Sequence, residues 1–235
     1  MAQKIGNAKN ILVGASPLFI SSTDSTDTAN YTDNAEPGST AAGAFVSGTS
    51  YTTTLNGVTS GTFYYRNVGY TNNGLQITYN PTYGSVTVDQ LLDTAKLFKE
   101  SMEVMIATEM TEGTLENVLT VFGQGASTLT TESGFTTGTA NKTKTLGLAA
   151  GALGVAPTER QLIAVGQAPS TTDGDNSKTT ERVYYARRVL SVQQSQFSLA
   201  RNNPTTFPVT FRLLPSGDSA YAGQEYGKII DRILA

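Results

Sequence analysis

V-D-Q-L-L-D-T-A-K-L-F-K-E-S-M-E-V-M-I-A-T-E-M, residues 88–110, reads in two ways, and the fold follows from the choice. Val88, Leu91, Leu92, Ala95, Phe98, Met102 and Met105 fall near helical spacing, which allows one long helix. The same residues also divide into a short strand, a turn at Lys99-Glu100 and a second strand. In that second strand Met102, Val104 and Ile106 share one face, while Glu103, Met105, Ala107 and Glu109 share the other. Periodicity alone leaves both readings open.

The next stretch, T-E-G-T-L-E-N-V-L-T-V-F-G at 111–123, is clearer. Leu115, Val118, Leu119 and Phe122 recur at i, i+3, i+4 and i+7, one helical face, with Gly123 placed to end the helix. Thr114 is a candidate cap. Burying those four side chains contributes at most about 6–12 kcal/mol. A helix this short is stable only when docked on a sheet.

Elsewhere the pattern is strand and polar loop. N-I-L-V-G-A-S-P-L-F-I (10–20) suits a strand broken near Pro17. F-Y-Y-R-N-V-G-Y (63–70) and L-Q-I-T-Y-N-P (75–81) read as strands around the turn T-N-N-G. S-V-T-V-D (85–89) begins another, and R-Q-L-I-A-V-G (160–166), 182–192 and F-P-V-T-F-R-L-L-P (207–215) continue the series. Two long polar stretches interrupt it, at about 21–62 and 124–158, and 170–180 reads as a mobile loop. The sum is a sheet-rich α+β reading, a single domain over 1–235 with one short helix.

Composition removes whole classes of chemistry. The chain has no His, Cys or Trp. Thiolate nucleophiles, disulfides, zinc sites of the usual kind and Ser-His-Asp catalysis are therefore excluded. No phosphate-binding glycine loop is present, and the spacing of Asp173, Asp175 and Asn176 falls short of a calcium loop. No cofactor or metal is expected. Net charge is −3, which does not describe a global nucleic-acid binder. No apolar run is long enough to span a bilayer, and the N-terminus lacks the apolar core of a signal peptide, so an intracellular origin is the expectation.

Charge is uneven along the chain. Between residues 81 and 120, seven carboxylates (Asp89, Asp93, Glu100, Glu103, Glu109, Glu112, Glu116) stand against Lys96 and Lys99. On a helix, Glu112 and Glu116 lie i,i+4, near the carboxyl separation of a retaining glycosidase. Catalytic carboxylates need environments that push their pKa values apart, and these two project from one polar surface. Acids complementing a helix N-terminus explain them more simply. Arg187 and Arg188 point to opposite faces of an alternating strand and are candidates for inter-subunit ion pairs.

The order of these pieces resembles the major tail (tube) proteins of long-tailed bacteriophages. V-G-Y-T-N-N-G-L-Q-I-T-Y-N-P, V-T-V-D-Q, M-I-A-T-E-M-T-E-G-T-L-E-N-V-L, F-P-V-T-F-R-L-L-P and Y-G-K-I-I-D-R carry the likeness, in order from about Asn10 to Ala235. The two polar loops carry none of it. The resemblance implies a mainly β fold, a β-sandwich or half-barrel flanked by one short α-helix, shared with the tube protein of type VI secretion. It implies strands at 85–90 and 101–110 followed by the helix. It also implies that the 21–62 stretch is an arm reaching a neighbouring ring.

In function, the resemblance implies a virion protein, assembled in the host cytoplasm. Copies of itself close hexameric rings that stack into a tube conducting double-stranded DNA. Tape-measure, tail-tip and terminator proteins are the implied further partners, with no membrane and no enzymatic activity. A basic lumen would grip phosphate, so an acidic or neutral wall suits sliding DNA; Glu103 and Glu109 are the candidate lumen-facing residues. They face solvent or a neighbour's arginine in the rival view. The competing functions are a carboxylate glycosidase or carbohydrate-binding sandwich, and another phage structural module such as a terminator or capsid decoration protein. The 11 tyrosines favour sugar binding mildly, and the absence of Trp argues against it.

Overall fold

The computed structural model describes residues 14, 16–22, 49–55, 58–135, 137–151, 153–154, 157–169, 179–193, 195–199, 201–202, 204–217 and 219–234. The chain is mainly β. Its strands are β1 (Leu18–Ser22), β2 (Thr49–Leu55), β3 (Val58–Asn67), β4 (Thr71–Thr87), β5 (Thr94–Met110), β6 (Leu129–Thr131), β7 (Lys144–Leu146), β8 (Arg160–Gln167), β9 (Thr179–Ser191), β10 (Phe207–Leu213) and β11 (Gly227–Leu234). One α-helix, α1 (Leu115–Val121), follows β5. No helix among the described residues is long and apolar enough to cross a membrane.

Nine strands form one antiparallel sheet in the order β2-β3-β1-β8-β9-β10-β5-β4, with β11 added alongside β9. That order dictates its shape. β3 and β4 are six strand spacings apart along the sheet, roughly 29 Å if it were flat. Yet only Val68, Gly69 and Tyr70 join them, a reach of at most about 14 Å. The sheet must therefore curl until β3 comes back near β4, although the two do not pair. The crossing joins both ends: Val68 N–H donates to Leu18 O at 3.0 Å, and Thr111 N–H donates to Tyr70 O at 3.0 Å. Of the two forms expected, this is the half-barrel.

Its concave side holds the main core, from Leu18 and Ile20 of β1 through Leu162, Val189 and Phe211 to Val104 and Ile106 of β5. A second cluster, Phe19, Ile163, Val165, Val183 and Tyr185, covers the opposite face of the central strands. With both faces covered, β8 is buried continuously from Arg160 to Val165, and its sequence L-I-A-V does not alternate.

Several sequence expectations need correction. Residues 88–110 form no helix and no turn at Lys99-Glu100; β5 runs unbroken through that point, and the turn lies between β4 and β5. Register jumps leave Glu100 and Ala95 unpaired as bulges. Each bulge shifts the strand alternation by one, and the apolar positions then mimic helical spacing. T-N-N-G is not a hairpin turn either. The register steps from Asn72–Glu109 to Gln76–Ala107, so residues 73–75 bulge against Thr108 alone. The loop expected at 124–158 contains its own ribbon, β6 paired with β7. Of the arm expected at 21–62, residues 49–55 and 58–62 are strand; 23–48 lie outside the described residues, as do 170–178 of the expected mobile loop.

The helix is where expected, but its buried face differs. Gly123 at φ +63 ends it, with Gln124 N–H donating to Leu119 O and Gly123 N–H to Thr120 O. Asn117, Leu119, Thr120 and Val121 are buried, whereas Leu115 and Val118 are half-buried and Phe122 is 37% exposed. Phe122 instead stacks on Phe197 at 6.2 Å, which meets Phe207 at 4.8 Å.

Candidate assembly surface

β4 and β5 begin as part of the barrel wall. From Met105 to Met110, β5 pairs β10 on one side and β4 on the other; from Thr94 to Val104, β4 is its only strand partner among the described residues. This distal hairpin is exposed on both faces. One face carries Tyr79, Tyr83 and Leu97, which are 58%, 57% and 65% exposed. The other carries Val86 and Phe98, and the tip presents Leu91 and Leu92. The Phe98 ring lies over Gly84, where an added Cβ would sit 2.5 Å from it. Lys99 folds back over Tyr79, 5.6 Å from the ring centroid, and its Nζ donates to the Tyr79 hydroxyl at 3.3 Å.

Three half-exposed aromatic side chains, about 150–250 Å² each when whole, together with the exposed leucines and Val86 leave several hundred Å², roughly 800 Å² at most, of apolar surface on this hairpin. A standard interface covers roughly 800 Å² per partner. The outer edge of β4 is also unpaired along its length among the described residues, a template for another strand. A lone two-stranded hairpin is marginal in water. Covering by a partner is what such a surface lacks.

The hairpin leaves the barrel at a buried polar junction. Thr114 Oγ1 accepts from Asn117 N–H and caps α1. The wholly buried Asn117 amide donates to Val68 O at 2.8 Å and Glu112 O at 2.9 Å, and its oxygen accepts from Arg66 at 2.7 Å. Gly69 adopts φ +85, and a Cβ there would fall on the Glu112 carboxylate, which accepts from Tyr70 N–H at 3.0 Å. The T-L-E-N sequence therefore pins the three-residue crossing to the helix.

Glu112 and Glu116, the pair weighed as acid and base, are engaged separately. Glu112 lies before the helix and binds the Tyr70 backbone; Glu116 pairs with Lys144. Burial alone would raise the Glu116 pKa, but the Lys144 hydrogen bond and charge, with a backbone bond and the Arg66 charge, hold it below the usual carboxylate value.

Glu103 and Glu109 lie on the face of β5 opposite the core, as the alternation requires. Glu103 is 3.5 Å from Arg212 of the same chain, and Glu109 accepts from Asn72 Nδ2 at 3.2 Å. Around them the sheet face is mostly polar: Gln76, Thr78 and Asn80 on β4, Met105 and Ala107 on β5, and Pro208, Thr210 and Arg212 on β10.

The two arginines do not alternate as expected: the β8–β9 register steps from Arg160–Val189 to Leu162–Ala186, so Arg187 and Arg188 oppose Gln161 together in a bulge. Arg187 is 1% exposed, its Nε donates to Gln224 O at 3.0 Å, and its guanidinium stacks 3.5 Å from the Tyr221 ring centroid. That burial removes Arg187 as an inter-subunit candidate. Arg188 is half-buried and grips Glu159 with two bonds of 2.8 and 2.9 Å. Sequence reasoning missed the exposed Tyr79, Tyr83, Leu97 and Phe98, whose only signal was an apolar strand with no later segment evidently reserved to cover it.

No family model matches the chain, and no curated protein matches it.

Proposed function

We propose that this chain is a structural subunit that assembles with copies of itself into stacked, hexameric rings, forming the tail tube of a long-tailed bacteriophage through which double-stranded DNA passes. The observation that carries the reading is the distal β4–β5 hairpin, with exposed apolar side chains on both faces and both edges unpaired among the described residues. A second copy is the partner that satisfies both needs at once, by covering side chains and pairing the edge. The resemblance adds the ring-and-tube geometry, the virion location and the tape-measure, tip and terminator partners.

In this reading the polar outer face of β4, β5 and β10 is the lumen wall. Glu103 and Glu109 keep it from becoming basic, and the nearby Arg212 is held by Glu103. DNA slides on such a wall because no lysine or arginine row releases its counterions. Glu103→Lys combined with Glu109→Lys is expected to leave tubes intact but lower particle infectivity roughly tenfold or more, through phosphate binding. Infectivity equal to wild type would remove these residues from the lumen.

A further inference from the structure

We infer that Asn73 is a site of self-catalysed deamidation and isomerisation at the foot of the β4–β5 hairpin. The inference is independent of the assembly reading. Asn-Gly occurs twice in the sequence, at 56–57 and 73–74; only the second pair lies among the described residues. The chemistry needs the Gly74 backbone nitrogen to attack the Asn73 side-chain carbonyl carbon. A following glycine has no Cβ to obstruct that approach and has the freest backbone.

The structure leaves this pair open to the reaction. Asn73 and Gly74 are exposed, and nothing lies within 4 Å of where a Gly74 Cβ would stand. Both have positive φ, 59° and 67°, and both sit in the bulge where the β4–β5 register skips from Asn72 to Gln76. Asparagine held at positive φ stores backbone strain that rearrangement can release. Asn117 is the contrast: fully buried, with its amide committed to two carbonyls and its oxygen to Arg66.

The step balances with water alone. The Gly74 N–Asn73 Cγ bond forms, the Cγ–Nδ2 bond breaks, and ammonia leaves with the proton lost from the Gly74 amide. Water then opens the resulting succinimide at either carbonyl, giving aspartate or isoaspartate. Either product puts a second carboxylate beside Glu109, which lines the same 150 Å³ cavity as Asn73. Isoaspartate also lengthens the backbone of the bulge by one carbon, where β4 leaves the crossing.

The test is a peptide map of the full chain incubated folded in warm, mildly alkaline buffer, with a parallel sample unfolded in urea. The expected result is deamidation and isoaspartate at residue 73 in the folded sample. The rate there should exceed that at Asn72, Asn80 and Asn117 and rise with pH. Asn73→Gln should abolish it, and Gly74→Ala should slow it severalfold. An intact Asn73 in the folded chain, under conditions where the unfolded chain converts at that residue, would overturn the inference. The wild-type comparison stands even if a variant fails to fold.

Discussion

Asn117→Ala is expected to lower the unfolding free energy by about 3–4 kcal/mol, a large part of a typical total of about 5–15 kcal/mol. The substitution deletes two donors and an acceptor at a site with no solvent to replace them. Val68 O and Glu112 O each lose a donor, at about 1–3 kcal/mol for a buried group left unsatisfied, and the Arg66 charge loses an acceptor. Urea denaturation measures the effect as a fall in midpoint with the slope unchanged. A loss below about 1 kcal/mol, typical of a surface change, would mean that the crossing does not depend on this junction.

The second large effect concerns association and leaves folding alone. Tyr83→Ser, Leu92→Ser and Leu97→Ser together are expected to raise the concentration needed for assembly by about a thousandfold, roughly 4 kcal/mol. Each of these side chains is more than half exposed in the isolated chain, so its removal opens no cavity. The urea midpoint of the triple variant should therefore match that of the parent. Sedimentation across concentration separates the two properties. Assembly by the variant at the parent's concentration would exclude these faces of the hairpin from the contact.

The parts of the fold that were legible in the sequence are those set by local rules. The face alternation of 102–109, the cap Thr114 and the terminator Gly123 each depend on a few neighbouring residues, and each holds in the structure. The misreadings arose where one local signal serves two structures. Asn73-Gly74 at positive φ suits a hairpin turn and a bulge equally; the pairing of β3 with β1 rather than β4 decided between them. Bulges at Ala95 and Glu100 disguised a strand as a helix. Arg187 looked like a surface charge because nothing local foretells that Tyr221, far along the chain, stacks over it.

The candidate assembly surface was hidden for a related reason. Apolar residues at Tyr79, Tyr83 and Leu97 are what any half-buried strand shows. Their exposure becomes visible only once the other described strands and the helix have been placed around the barrel core. By contrast, Glu103 and Glu109 were placed on the outer face by alternation alone.

Self-assembly is the central claim, and negative-stain electron microscopy of the purified full chain across a range of concentrations tests it most directly. Hollow tubes or stackable rings are predicted, appearing above a threshold concentration. Single compact particles at every concentration, with the hairpin left uncovered, would contradict it.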